Sequence, residues 1–196
     1  KCLAAVGAFA AGRVRGAEAV QMAEACDHAH SCFLAYLRVG GLYLQQGEWV
    51  QALALLERGL VHWQAFTVQP WFPPIASALG YARALAGQLA EALPLLDQAC
   101  AQVLSRHTTF ERGFSIAWLS EALLVIGRRD DALSMARVAL EHACTHQERG
   151  DEAWALRLLG ESSGQGARPP VDEAATSYRR ALVLAHELGM RPLQAH

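Results

Sequence analysis

Large apolar residues recur along the chain at a step of forty residues, and short stretches rich in glycine and polar residues separate the apolar runs. Two helices of four to five turns, with two short turns, use up roughly forty residues. The pattern therefore predicts helical hairpins in series, the first complete one with helices at about Cys32–Gln46 and Glu48–Phe66. The apolar positions that keep the step are Val39, Leu79, Leu119 and Leu159 in the first helices and Leu53, Leu93, Leu133, Leu56 and Leu96 in the second.

A track of glycines keeps the same step between the two helices of each hairpin. Gly7, Gly47, Gly87 and Gly127 each follow one apolar stretch and precede the next. Glycine adopts the left-handed conformation that ends a helix without a steric penalty. Each of these glycines is therefore predicted to close a first helix.

A second track of small residues lies seven positions earlier, inside the predicted first helices. Glycine within a helix costs about 1 kcal/mol relative to alanine, so a compensating contact is expected. We predict that the two helices of each hairpin pack closely here, with small residues facing small residues. The first helices contribute Gly40, Gly80, Ser120 and Gly160, and the second helices contribute Ala52, Ala92 and Ala132.

These positions together resemble the tetratricopeptide repeat. In one unit, the family's pattern is represented by Tyr36, Val39-Gly40, Tyr43, Ala52, Leu56 and Gly59. A similar pattern recurs in three further units. The resemblance implies an all-α, right-handed α-solenoid of antiparallel helix pairs. It implies one domain over residues 1–196, with units at about 1–30 (partial), 31–69, 70–108, 109–149 and 150–191.

Particular stretches, such as "ASALGYARALAGQLAEALPLLDQA", look like the C-terminal repeats of bacterial signalling proteins that join a class III cyclase domain to an AAA-type ATPase. This resemblance implies a fragment of a larger protein. Because the sequence shows no signal peptide, we expect a cytoplasmic setting. The first residue of the chain is Lys1, and both ends look cut within a repeat. The resemblance does not imply that this chain has the activities of the larger, parent protein. The sequence has no G-x-x-x-x-G-K-[ST] phosphate-binding motif.

Composition adds expectations about partners. The formal net charge is −2, and Arg128-Arg129 is followed directly by Asp130-Asp131. Nucleic-acid binding relies on clustered basic residues, so we expect no nucleic-acid partner. No apolar run reaches the roughly eighteen residues that a membrane span needs. With 53% hydrophobic and 18% charged residues, uncapped repeat ends are expected to associate as a symmetric homodimer.

The resemblance places function on the concave face, which the first helices line. The positions it selects for a bound protein segment are Leu37, Leu44, Gln45, Ser77, Tyr81, Phe114, Glu121, Trp154, Arg157 and Glu161. Their apolar and polar mixture suits an amphipathic or extended peptide. One alternative is that Glu121 and Arg157 only pair across adjacent units, where an exposed pair would contribute about 0–1 kcal/mol.

The sequence favours a non-catalytic module, because it shows no nucleophile with a base, no paired catalytic carboxylates and no ligand set for a metal. His142 and His146 have metal-binding spacing on a helix, but a solvated helix face is the preferred interpretation. No cofactor is predicted. The leading hypothesis is a regulatory scaffold that binds a peptide, a partner protein or the parent's own catalytic domains. The alternative is a domain that senses a small-molecule effector.

Overall fold

The computed structural model describes residues 2–66, 71–105, 112–164 and 171–195, and every regular element in these ranges is a helix. Within the described ranges, two short helices lie at the ends, and nine longer ones lie between them. In chain order they are α1 (Cys2–Ala5), α2 (Phe9–Ala25), α3 (Ala29–Gln45), α4 (Trp49–Phe66), α5 (Phe72–Leu85), α6 (Leu89–Ser105), α7 (Arg112–Val125), α8 (Arg129–His146), α9 (Arg149–Gly164), α10 (Val171–Glu187) and α11 (Arg191–Gln194).

The helices pair as the forty-residue step predicts. Helix α3 packs on α4, α5 on α6, α7 on α8 and α9 on α10, while α5 and α7 also pack side by side. The all-helical solenoid is confirmed. Helix α3 begins three residues before the predicted Cys32, and α4 begins one residue after the predicted Glu48.

The turn inside each hairpin has the predicted chemistry. Gly47, Gly87 and Gly127 have φ of +77°, +73° and +80°, the left-handed region that favours glycine. At the first turn, the N–H of Glu48 donates to the carbonyl oxygen of Tyr43, and the N–H of Gly47 donates to that of Leu44. This pair of bonds is the Schellman motif, and it satisfies carbonyls that the helix end would leave unpaired.

The glycines inside the first helices face large residues, so the expectation that small residues face small residues is wrong. A Cβ at Gly40 would lie 2.7 Å from Leu56 Cδ2, and one at Gly80 would lie 2.6 Å from Leu96 Cδ2. At each of these two positions, a leucine of the second helix occupies the space that a side chain would need. The same holds at Gly160, where a Cβ would lie 2.8 Å from Tyr178 Cδ2.

Ser120 is the exception on this track, and its surroundings explain it. The position that Leu56 and Leu96 hold in their units is occupied here by Ala136. Because the facing residue is smaller, a serine side chain fits, and its hydroxyl donates to the carbonyl oxygen of Ala132 at 2.9 Å. The smaller side chain on α8 is offset by the larger side chain on α7, as close packing requires.

The two ends of the described chain meet. Gly7 lies against α11, and a Cβ at Gly7 would be 3.3 Å from Pro192 Cδ. Large apolar side chains nevertheless remain exposed on the long helices next to the ends, among them Met22 on α2 and Leu182 on α10. The homodimer stays a prediction.

Two turns that precede the first helix of a hairpin, before α3 and before α9, lie in the described ranges and use a left-handed residue that is not glycine, Asp27 and Gln147. The second of these leads to a stability prediction. Gln147 closes α8 with φ of +58° and is exposed. A residue with a Cβ is strained there, so Gln147→Gly is expected to raise the free energy of unfolding by about 0.5–1 kcal/mol. Urea unfolding followed by circular dichroism would measure the change.

The matched control is Gln46→Gly, at the end of α3. Gln46 has φ of −91°, a conformation that relieves no strain when glycine replaces it. The control should therefore lose about 0.5–1 kcal/mol through backbone entropy, and the lost contacts of its half-buried side chain add to that loss. Equal losses at the two positions would contradict the strain assigned to Gln147.

Candidate functional site

A cavity of about 600 Å³ opens on the concave side of the solenoid. Its walls come from the first helices of the hairpins, α3, α5, α7 and α9, with one residue from the turn after α3 and one from α10. The volume lies within the range of small-ligand pockets, about 300–1,000 Å³. The lining residues are Leu44, Gln45, Gly47, Tyr81, Ala117, Trp118, Glu121, Leu124, Val125, Trp154, Arg157, Glu161 and Tyr178.

The polar part of the cavity follows from the repeat itself. Tyr81, Glu121 and Glu161 each follow a residue of the small-residue track, so they keep the forty-residue step. Equivalent positions of successive repeats point the same way. Three consecutive first helices, α5, α7 and α9, therefore present a phenol and two carboxylates to one space.

Arg157 joins the two carboxylates. Its Nη1 donates to Glu161 Oε2 at 2.7 Å, one helical turn further along α9, and its Nη2 donates to Glu121 on α7. The exposed fractions of the side chains are 8% for Arg157, 18% for Glu121 and 34% for Glu161. The pairing across repeats is therefore real, but it is a buried pair and not the exposed one that the sequence suggested.

Burial dominates the electrostatics of Glu121 and Tyr81. Desolvation raises the pKa of Glu121, while the Arg157 charge and a hydrogen bond from the Tyr81 hydroxyl act in the opposite direction. Desolvation also raises the pKa of Tyr81, and the neighbouring Glu121 carboxylate adds to the increase. The phenol therefore stays protonated and donates to the carboxylate.

Aromatic rings form the apolar part of the cavity, and one of them reaches across a repeat. A Cβ at Gly41 would lie 2.5 Å from Trp118 Cη2, so the indole of α7 rests on the glycine surface of α3. Trp154 lies beneath the arginine, with the Arg157 guanidinium carbon 5.1 Å from the indole ring centroid. This is the range of a cation–π contact.

Seven of the ten residues that the sequence selected for the concave groove line this one cavity. Leu37 and Ser77 do not, because both are buried in the core between helices. Phe114 belongs to α7, but its side chain lies outside the described part of the structure. The seven that line the cavity are Leu44, Gln45, Tyr81, Glu121, Trp154, Arg157 and Glu161.

Trp118 and Tyr178 line the cavity and were not selected from the sequence. A signal for Trp118 existed, because Gly41 stands where the later repeats carry Tyr81, Glu121 and Glu161. A glycine among large residues at one repeat position indicates that another side chain approaches closely. Tyr178 comes from a second helix, which the resemblance does not place on the concave face.

The histidine pair on α8 differs from the interpretation as a solvated face. His142 is buried, with 7% of its surface exposed, while His146 is exposed. The His146 Nδ1 atom lies 2.9 Å from the carbonyl oxygen of His142. Among the residues that the structure describes, no group of three His, Cys, Asp or Glu side chains could hold a metal ion.

In the described ranges, no helix combines the length and the apolar character that crossing a membrane would need.

Comparison with known proteins identifies the fold and no closer relationship. No family model and no curated protein matches the chain. Among solved structures, Bacillus thuringiensis PlcR in complex with the peptide PapR7 and DNA matches with a TM-score of 0.72 at 15% identity. The match covers 96% of this chain and 68% of that one. The chain has a TPR-like helical-repeat fold.

The expectation that nucleic acid is excluded as a partner is wrong. PlcR, which shares this TPR-like fold, was crystallised with DNA as well as with a peptide. Arg128 is neutralised by Asp97 and Asp131, but a net charge of −2 carries too little information to rule out a class of partner. Charge balance over a whole chain says nothing about where basic residues gather.

Proposed function

We propose that this TPR-like chain is a non-catalytic regulatory module that binds a peptide in its concave cavity. The observation that carries the proposal is the cavity's construction. Four successive first helices and α10 supply aromatic and aliphatic walls around a small set of convergent polar groups, the composition typical of a ligand pocket. The PlcR complex, in which a protein of the same fold holds a peptide, supports the proposal.

The partner is proposed to be a segment of another protein or of the parent protein. The stretches that resemble the repeats of cyclase–ATPase signalling proteins support a place in bacterial signal transduction. Within such a protein, the catalytic domains themselves would be candidates for the segment that the cavity holds.

The cavity also supports a second candidate, the sensing of a small-molecule effector. The observation that favours it is the buried cluster of Tyr81, Glu121 and Arg157, because convergent polar groups fix the orientation of a small ligand. A ligand that fills the space between α3 and α9 would change the curvature of the solenoid. Binding assays with peptides and with small polar metabolites separate the two candidates.

The peptide proposal is tested by filling the cavity from its rim. Val125 lines the cavity and is 48% exposed, so Val125→Trp adds volume without disturbing the core. An array of short synthetic peptides would first be probed with the purified chain. The affinity of the best binder should then fall by at least about 10-fold in the variant, because the indole occupies the site.

Val61→Trp is the matched control. Val61 lies on the second helix α4, is 65% exposed, and is not part of the cavity. This variant should bind as the unmodified chain does. If Val125→Trp also binds unchanged, the peptide lies elsewhere, and if no peptide of the array binds, the peptide proposal fails.

A further inference from the structure

The charge inside the concave cavity is unbalanced. Arg157 is the single basic residue in the described lining, while Glu121 and Glu161 supply two carboxylates. The charge of Arg157 balances one of the two carboxylates. When all three side chains are ionised, the cavity therefore has a net charge of −1 from these groups. A partly desolvated negative charge is stabilised by a cation that enters the cavity.

Glu161 is the carboxylate that a ligand can reach. It is more exposed than Glu121, and Arg157 donates to its Oε2 only. No other described residue donates to the remaining oxygen, Oε1. The Oε1 atom of this cavity-lining carboxylate is therefore without a donor among the described residues.

The aromatic walls favour the same ligand class. Trp118, Trp154, Tyr81 and Tyr178 surround the carboxylates, and the faces of aromatic rings attract cations. The structure already contains one such contact, between Arg157 and Trp154. Carboxylates framed by aromatic rings make a site for a guanidinium or an ammonium group.

We propose that the cavity recognises a peptide through a basic side chain, which donates to Glu161 and packs against Trp118 and Tyr178. This inference rests on the proposed function, because it names the chemistry of the peptide that the cavity takes. A volume of about 600 Å³ accommodates an arginine or lysine side chain together with its adjoining backbone. The neighbouring apolar wall of Leu44, Leu124 and Val125 receives the flanking residues.

The test begins with two arrays of short synthetic peptides, one with acetylated and one with free amino termini. Acetylated binders should be enriched in arginine or lysine at one position. Enrichment of neutral or acidic residues would overturn the inference and leave peptide binding intact. Binding by free-amine peptides alone would overturn it in favour of the amino terminus, and no binding in either array would overturn both proposals.

The second step locates the cation. For the best arginine-containing binder, replacing arginine by citrulline, its uncharged isostere, should weaken binding by about 10-fold or more, because a charge-assisted hydrogen bond is lost. Glu161→Gln keeps an acceptor for Arg157 and should weaken the arginine peptide by about the same factor. The same variant should leave the citrulline peptide unchanged, and calorimetry would measure all four affinities.

Glu141→Gln is the control for the loss of one carboxylate. Glu141 is exposed on α8, outside the cavity, and should change neither affinity. If Glu161→Gln weakens both peptides equally, or neither, Glu161 does not receive the basic side chain and the inference fails. Thermal melting of each variant confirms that any loss of binding reflects the site.

Discussion

Gly80→Ser is expected to lower the free energy of unfolding by about 1–3 kcal/mol, although serine is the better helix former. A Cβ at this position would lie 2.6 Å from Leu96 Cδ2. Leu96 is fully buried, so it has no open space to move into. The added side chain therefore forces strained rotamers or a shift of α5 away from α6. Urea unfolding followed by circular dichroism would measure the loss.

Another hairpin of the chain carries a serine at this position together with a smaller facing residue, which allows a sharper test. Ser120 and Ala136 occupy the corresponding positions of the next hairpin. The double variant Gly80→Ser with Leu96→Ala copies that pair. Leu96→Ala alone should cost about 2–5 kcal/mol because it leaves a cavity. The double variant should lose less than the sum, with a coupling free energy of about 1–3 kcal/mol.

Gly150→Ser is the control for a serine introduced into a helix. Gly150 lies in the first turn of α9, and its nearest neighbour for an added Cβ is Met190 Sδ at 3.9 Å, an ordinary contact. The control should be neutral or slightly stabilising. Strictly additive losses in the Gly80 and Leu96 variants would contradict the exchange of volume between the paired helices.

The forty-residue step predicted the parts of the fold that local chemistry decides. Gly47, Gly87 and Gly127 close their helices because the turn demands positive φ, a property of a few adjacent residues. The step also aligned Tyr81 with Glu121, since equivalent repeat positions share a face. It could not predict what the glycines inside the helices contact, because that depends on how the two helices of a hairpin are rotated toward each other.

The sequence predicted the cavity residues whose positions follow from the repeat step. It missed the residues whose positions depend on the curvature of the solenoid or on a change of register. Trp118 reaches α3 only because the first helices α3, α5 and α7 curve tightly enough to bring non-adjacent repeats together. Tyr178 lies two residues beyond the position that the step from Ala136 would give. The register of the last hairpin is altered by the longer stretch before α10, and a strict period cannot follow that change.

Arg157→Ala is expected to be the most damaging single change in the cavity, with a loss of about 3–5 kcal/mol in the free energy of unfolding at neutral pH. The exposed fraction of the Arg157 side chain is 8%, and its guanidinium holds Glu121 and Glu161 together. Removing it leaves a buried carboxylate without a counter-charge. The contribution of about 0–1 kcal/mol expected of an exposed pair does not apply here.

The loss should depend on pH in a direction that follows from Glu121. Burial already raises the pKa of Glu121, and Arg157 opposes that increase. In Arg157→Ala the folded-state pKa rises further above the unfolded value, so the folded protein binds a proton more tightly than the unfolded chain does. The deficit should therefore shrink as the pH falls through the folded pKa, where protonated Glu121 no longer carries a charge. Urea unfolding at several pH values between acidic and neutral would measure this.

Arg180→Ala is the matched control for the loss of an arginine that bridges two helices. Arg180 reaches Glu152 at 3.5 Å, and 58% of its side chain is exposed. Solvent screens this pair, so its loss should cost less than about 1 kcal/mol. If Arg157→Ala costs no more than the control, the cluster is solvated and the cavity is not the low-dielectric site that the cation proposal needs. A large, pH-dependent deficit shows instead that the carboxylates are desolvated, the condition under which an entering cation gains the most.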